Sequence, residues 1–268
     1  MQGLSKHQTL QDLRTRIQAL EKRPPGLEEN AVAAGKPGLF TLPSGLLHEV
    51  FTDLLGNAGA ALGFSLGLAR ELVRPERPAI LYLQLLHEAQ ELGTPYGAGI
   101  ATFGLDPANL IFCRVETPIE LLWAAEEAIG CPAVAAVLVD VGAAFTALDF
   151  TASRRFALRC SDTGSSLFLL RYGLGREASA ARLRWHVEPV LSGKAPFDAR
   201  APTEPRWQVN LEKGTLGLGR APVDLIVDWT QNGFERVDAG AGADGLQAPA
   251  PLSGAAFAAL GDRLSEAS

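Results

Sequence analysis

Short apolar runs separated by helical segments fill the middle of this chain, and they leave few folds open to it. Residues 46–52 (LLHEVFT), 79–85 (AILYLQL), 110–115 (LIFCRV), 133–140 (AVAAVLVD) and 165–171 read as strands. Helices are predicted at 58–73, stopped before Pro75, at 88–103 with interrupting glycines, at 118–129 with Thr117 as N-cap, and at 148–160. Strands that are apolar along a continuous run are those buried on both faces. The fold class predicted is therefore α/β, a mostly parallel sheet flanked by helices. After Gly175 the pattern changes to alternation, and residues 182–191, 206–212 and 223–229 read as strands joined by turns, an antiparallel C-terminal extension of the same sheet.

The ends of the chain differ from this core. Leu10, Leu13, Ile17 and Leu20 recur at spacings of three and four, which predicts an amphipathic helix over 5–23 ended by Pro24 and Pro25. The expected organisation is an N-terminal helix at 1–25, a linker at 26–43, a core at 44–236 and a flexible tail at 237–268. The tail opens on AGAGADGLQAPAPLSG, too small and too rich in Pro and Gly to pack, before a weak helix at 255–264.

A chain of 268 residues with 47% hydrophobic and 20% charged residues can bury a sizeable core. No run approaches the ~20 apolar residues of a membrane span, and the N-terminus has no apolar signal core, so a cytoplasmic location is expected. Cys113, Cys131 and Cys160 are odd in number and widely spaced, which predicts reduced core thiols. His7, His48, His87 and His186 show no ligand spacing, so no metal site is expected.

The net charge of −6 argues against a protein that coats nucleic acid over its whole surface. Yet between Arg154 and Arg184 there are seven arginines against Asp162 and Glu177, while seven carboxylates against Arg236 and Arg263 occupy the stretch from Asp224 onward. Such an arginine segment can be a solvated face or can meet an acidic protein surface or a phosphate backbone.

Phosphate chemistry would belong in the turn after the first strand, where a helix N-terminus presents free N–H groups. With Gly59 as the second glycine of a G-x-x-x-x-G-K-[ST] loop, Ala60 stands at the lysine, Ala61 at the hydroxyl and Asp53 at the first glycine. Charge, metal ligand and turn are all missing, so no ATP site and no cofactor are expected. Asp140 ends its strand where a Walker B carboxylate would hold a magnesium shell, but without those partners it is left to tie the following loop. Gly56, Gly59 and Gly63 have the wrong spacing for a dinucleotide turn and fit close helix packing better. Gly63-Phe64-Ser65-Leu66-Gly67 matches a nucleophile elbow, with Asp140 and His186 in hydrolase order. Ser65, however, falls inside a helix rather than directly after a strand.

Longer stretches carry a resemblance. LPSGLLHEVF (42–51) resembles the opening of the RecA core, residues 103–140 resemble its stretch from the third strand to the Walker B strand, 148–171 its next helix and strand, and 179–189 and 206–229 its terminal strands. The Leu47-His48-Glu49 opening, the Thr151–Arg155 helix and the Arg184-Trp185 and Arg206-Trp207 strands resemble the ImuA family, a RecA-like group without a usable P-loop that is also similar to the cell-division inhibitor SulA. The resemblance implies a non-catalytic accessory of DNA-damage-induced, error-prone translesion synthesis. Its partners would be an ImuB-like Y-family protein, RecA and an error-prone replicative-type polymerase, with DNA contact indirect or weak and no membrane. The segment at the place of RecA's second DNA-binding loop, 172–181, is short, which puts filament formation on DNA in doubt. Arg154, Arg155, Arg159, Arg182 and Arg184 are the expected partner-binding residues, with Phe156 and Leu158 turned toward the sheet. The alternatives are a SulA-like division inhibitor and a cofactor-dependent α/β enzyme using the turn at 56–63.

Overall fold

In a computed structural model that describes residues 38–142, 148–193, 198, 201, 203–216 and 219–237, the apolar runs pair as their burial requires. They form β1 (Leu47–Thr52), β2 (Ala79–Leu85), β3 (Leu110–Val115), β4 (Val134–Gly142) and β5 (Ser166–Tyr172). The alternating segments form β6 (Leu183–Val190), β7 (Arg206–Lys213) and β10 (Val223–Thr230), with β11 (Gly233–Arg236) added as a hairpin, while β8 (Thr215–Leu216) and β9 (Gly219–Arg220) pair only with each other. The main sheet has the order β11-β10-β7-β6-β1-β5-β4-β2-β3.

Every position of β1, β4 and β5 is buried, as expected of central strands covered on both faces. The sequence places β6 in an antiparallel extension. In the structure β6 pairs parallel with β1, His48 opposite Leu183 and Phe51 opposite His186, and the direction reverses only at β7. Alternation reports that one face of a strand is wet, and it carries no information about strand direction.

Helices α1 (Ala58–Arg70), α4 (Pro118–Gly130) and α5 (Phe150–Thr163) stand close to their predicted places. The single helix expected over 88–103 is instead α2 (Leu86–Leu92) and α3 (Gly97–Ala101). Gly93 between them adopts φ 77°, and Pro95 comes two residues later, so the helix cannot continue. Thr117 caps α4 as predicted, in a full capping box: its hydroxyl accepts from the Glu120 N–H while the Glu120 carboxylate accepts from the Thr117 N–H.

Helix α1 covers one face. Its Phe64 lies 5.1–6.2 Å, centroid to centroid, from Phe40, Trp185, Trp207 and Phe234. Phe40 and Leu42 are buried in this cluster, although they fall in the stretch read as linker. Gly63 and Gly67 serve packing here: a Cβ at 67 would sit 2.6 Å from the Phe234 ring and 2.8 Å from that of Trp229. Helices α4 and α5 cover the other face through Leu121, Leu122, Ala125, Ile129, Phe156 and Cys160. Burial pushes the Cys160 thiol up to about 12, while Cys131 is exposed and Cys113 half-buried, so only Cys160 is fully a core thiol.

Among the described residues no helix is long and apolar enough to cross a membrane. The predicted helix at 5–23, residues 26–37 of the linker and the tail beyond Val237 lie outside the described residues.

Phe64 is fully buried and Phe112 on the edge strand is 40% exposed. Phe64→Ala should therefore cost about 3–5 kcal/mol, and Phe112→Ala no more than about 1 kcal/mol. Urea unfolding of both variants checks this. Equal losses would mean that the aromatic cluster does not organise the α1 face.

Candidate functional site

The turn between β1 and α1 carries Asp53, a short 3-10 turn over Leu55–Asn57, and then Gly59, Ala60 and Ala61 in the first turn of α1. No lysine or hydroxyl points from those positions. A carboxylate of the chain itself reaches this turn: Glu188 of β6 accepts from the Asp53 backbone N–H (2.8 Å), the Thr52 hydroxyl (3.0 Å) and the Asn57 side-chain amide (2.6 Å). His186, two residues earlier on the same face of β6, brings Nε2 to 3.1 Å from Asp53 Oδ1 and 3.3 Å from Glu188 Oε1. Arg176 reaches Asp53 (3.3 Å) and Glu212 (3.2 Å) with its guanidinium 4.1 Å from the centre of the Phe51 ring. Ser65, the serine of the elbow-like motif, is buried and donates to the Ala61 carbonyl at 2.8 Å, so its hydroxyl serves the helix.

Beside this turn, Glu49 is fully buried in the centre of β1. Arg184 from β6 grips one of its oxygens through Nε (2.9 Å) and Nη2 (2.8 Å), Ser179 donates to the same oxygen at 2.7 Å, and Arg171 from β5 approaches the other at 3.4 Å. Glu177 pairs with Arg171, its carbonyl accepts from Arg184, and Lys213 donates to the Ser179 carbonyl. The short segment over 173–181 is therefore held against the sheet. The arginine excess seen in the sequence largely disappears in the fold, because Arg171, Arg176 and Arg184 turn inward and meet carboxylates. Arg182 remains exposed.

Asp140 lies one strand pair away, 1% exposed near the end of β4. It accepts from Tyr82 (2.8 Å) and more weakly from Gln84 (3.4 Å), and Tyr172 also contributes a hydrogen bond. Burial raises its carboxyl above the ordinary range despite these donors. Glu88 of α2 faces it across Gly142, whose φ of 62° and missing side chain leave room for the Glu88 carboxyl. Burial, with Asp140 and Glu91 adding repulsion, lifts Glu88 to about 7. The loop that the sequence expects Asp140 to tie, residues 143–147, lies outside the described residues; what Asp140 bonds are side chains of the neighbouring strands β2 and β5.

Of the partner-binding candidates on α5, Arg154 is exposed and Arg155 and Arg159 bind the neighbouring helix α4. Arg155 pairs with Glu126 at 3.0 Å, and Arg159 Nε donates to the Glu126 carbonyl at 3.0 Å. Phe156 points to the sheet as expected, whereas Leu158 is 57% exposed. The two helices, joined by these bonds, also expose Ile119 and Trp123 from α4 and Phe150 from α5. Trp123, 65% exposed, is not singled out by the sequence reasoning above. A signal existed: Leu121, Leu122, Ala125, Ala128 and Ile129 form the buried stripe of α4, and Ile119 and Trp123 fall off it, one turn apart.

Two acids, the buried Glu49 and the half-buried Glu88, bear on stability. Arg184→Met removes one of the two cations of a carboxylate that cannot reach water, and should cost about 3–5 kcal/mol by chemical denaturation; a near-neutral result would mean that Glu49 does not need Arg184. In the folded chain Glu88 holds its proton up to about 7, whereas an unfolded glutamate releases it near 4.5. Unfolding therefore releases a proton between those values, and wild-type stability falls as pH rises through that window. Buried His48, lowered to about 3, acts in the opposite sense below 6.5, so the readout is the difference from Glu88→Gln, which keeps His48. That variant should gain stability relative to wild type between pH 4.5 and 7 and hold the gain above it. A pH-independent difference would contradict the placement of Glu88.

No family model matches the chain. Two curated proteins do, both called Protein ImuA and both from Caulobacter vibrioides, strains NA1000/CB15N and ATCC 19089/CB 15. Each is 32% identical over 187 residues, covering 64% of this chain and 71% of the relative. This similarity is spread over most of the relatives' length, and the chain belongs to the ImuA family.

Proposed function

We propose that this protein is a non-catalytic accessory of DNA-damage-induced error-prone translesion synthesis, working in the cytoplasm by binding an ImuB-like Y-family protein, RecA and the error-prone polymerase. Family membership supports the setting. The observation that carries the mechanism is the turn at 53–61, where Ala60 and Ala61 offer neither lysine nor hydroxyl and the Glu188 carboxylate already accepts from the Asp53 N–H and the Asn57 amide. A triphosphate would meet Asp53 and Glu188 with no lysine to offset them, and each absent charge-assisted contact forfeits roughly 1.5–3 kcal/mol.

The arrangement of cations supports protein partners over nucleic acid. A strand of DNA is held by arginines free to meet successive phosphates. Here Arg171, Arg176 and Arg184 already have carboxylate partners, and the 173–181 segment is pinned. What α4 and α5 expose is Trp123 and Ile119 beside Phe150, Arg154 and Leu158, an aromatic and arginine mixture of the kind that anchors protein interfaces.

Calorimetric titration with Mg-ATP, run beside titration with the purified ImuB-like partner, tests the reading. No heat of nucleotide binding is expected, with partner affinity lowered at least about tenfold by Trp123→Ala combined with Arg154→Glu, a loss of about 1.4 kcal/mol. Micromolar ATP affinity, or partner binding indifferent to both changes, would overturn it.

A further inference from the structure

The turn between β1 and α1 has the makings of a cation site. The geometry points to Asp53, His186 and Glu188 as ligands for a divalent transition-metal ion of the zinc class, held by one imidazole nitrogen and two carboxylate oxygens. This goes beyond the accessory role and does not rest on it.

Two of the donors stand on one face of β6 and the third follows β1, and the parallel pairing of the two strands brings them together: His186 lies opposite Phe51 and Glu188 just past the end of β1. Each offers one ligand atom, and all three atoms lie within 4.8 Å of one another. The separations from the imidazole, 3.1 Å from Nε2 to Asp53 Oδ1 and 3.3 Å from Nε2 to Glu188 Oε1, match what ligands on bonds of about 2.0–2.2 Å show around a tetrahedral ion. Nε2 is shut off from solvent, yet it makes no hydrogen bond, because neither oxygen lies where a ring N–H could donate to it. A buried ring nitrogen set between two carboxylate oxygens without donating to either is what a shared cation would produce.

The surroundings support the assignment. Thr52, the Asp53 N–H and Asn57 fix the Glu188 carboxylate, the kind of outer support that orients metal ligands. The side chains are a quarter to a third exposed, so an ion can enter and water can complete its coordination. Asp53, Glu188 and Glu212 outnumber Arg176, the guanidinium nearest Asp53. Arg176 is the competitor: it reaches the same Asp53 oxygen at 3.3 Å and has Glu212 as a second anchor to retreat to. A nitrogen and two oxygens suit zinc and its neighbours better than calcium or magnesium, which favour oxygen alone.

The experiment is titration of the full chain with zinc chloride alone, without nucleotide, monitored by calorimetry and by metal analysis after dialysis. One ion per chain is expected at micromolar affinity or better. Asp53→Asn with His186→Gln should abolish it, Asn57→Ala should weaken it about 10-fold or more, and Arg176→Gln should tighten it by removing the competing charge. Circular dichroism of each variant separates loss of ligand from loss of fold, and Arg176→Gln keeps the test open if the double variant fails to fold. Cobalt(II) in place of zinc should show no thiolate charge-transfer band, which separates this site from capture by Cys113 or Cys131. No binding by the wild-type chain, binding that survives the double variant, or unchanged affinity in Arg176→Gln would overturn the proposal.

Discussion

A carboxylate buried in the central strand of a sheet costs several kcal/mol unless cations and donors surround it, and Glu49 imposes that requirement on half of this molecule. Its two arginines come from the strands on either side, Arg171 from β5 and Arg184 from β6, so one buried charge ties the three central strands together. Ser179 and Glu177 bring the intervening segment into the same network, and Phe51 lies under the guanidinium groups of Arg171, Arg176 and Arg184. The parallel position of β6, unusual for a strand that leads into an antiparallel meander, is the one that lets Arg184 face Glu49: the two stand opposite each other in the ladder. That register also carries His186 and Glu188 to the end of β1.

Much of the architecture was legible in the sequence because it derives from local pattern. Continuous apolar runs marked the buried strands β1, β4 and β5, although the same signal at 110–115 belongs to the edge strand β3, where Ile111 and Phe112 are exposed; Thr117 and Glu120 marked a capping box. The missing lysine and hydroxyl at Ala60 and Ala61 were equally plain, since they are absences at fixed spacing.

What the sequence could not show depends on pairing across long separations. The parallel direction of β6 goes with a pairing of Glu49 and Arg184, 135 residues apart, and no period within residues 183–190 encodes it. The arginine-rich stretch looked like a surface because counting charges along a chain treats each as solvated. In the fold, Arg171 and Arg184 find their counter-charge on β1 and Arg176 finds its own at Asp53 and Glu212, all far away in sequence. Leu158 was assigned to the wrong side of α5 for a simpler reason. Phe156 faces the sheet, and a residue two positions on is rotated about 200° around a helix, to the opposite side.

Glu188 also bears on what this turn could take up. A ligand attached to its own site by a few strands of backbone is never diluted. Its effective concentration is set by the fold, and a dissolved anion must compete with it for the Asp53 N–H and the Asn57 amide. Replacing Ala60 and Ala61 by lysine and a hydroxyl residue would leave those donors occupied, with the new lysine drawn to Glu188 and Asp53. On the proposed reading, two independent changes would have to be reverted together before a phosphate gained a seat here.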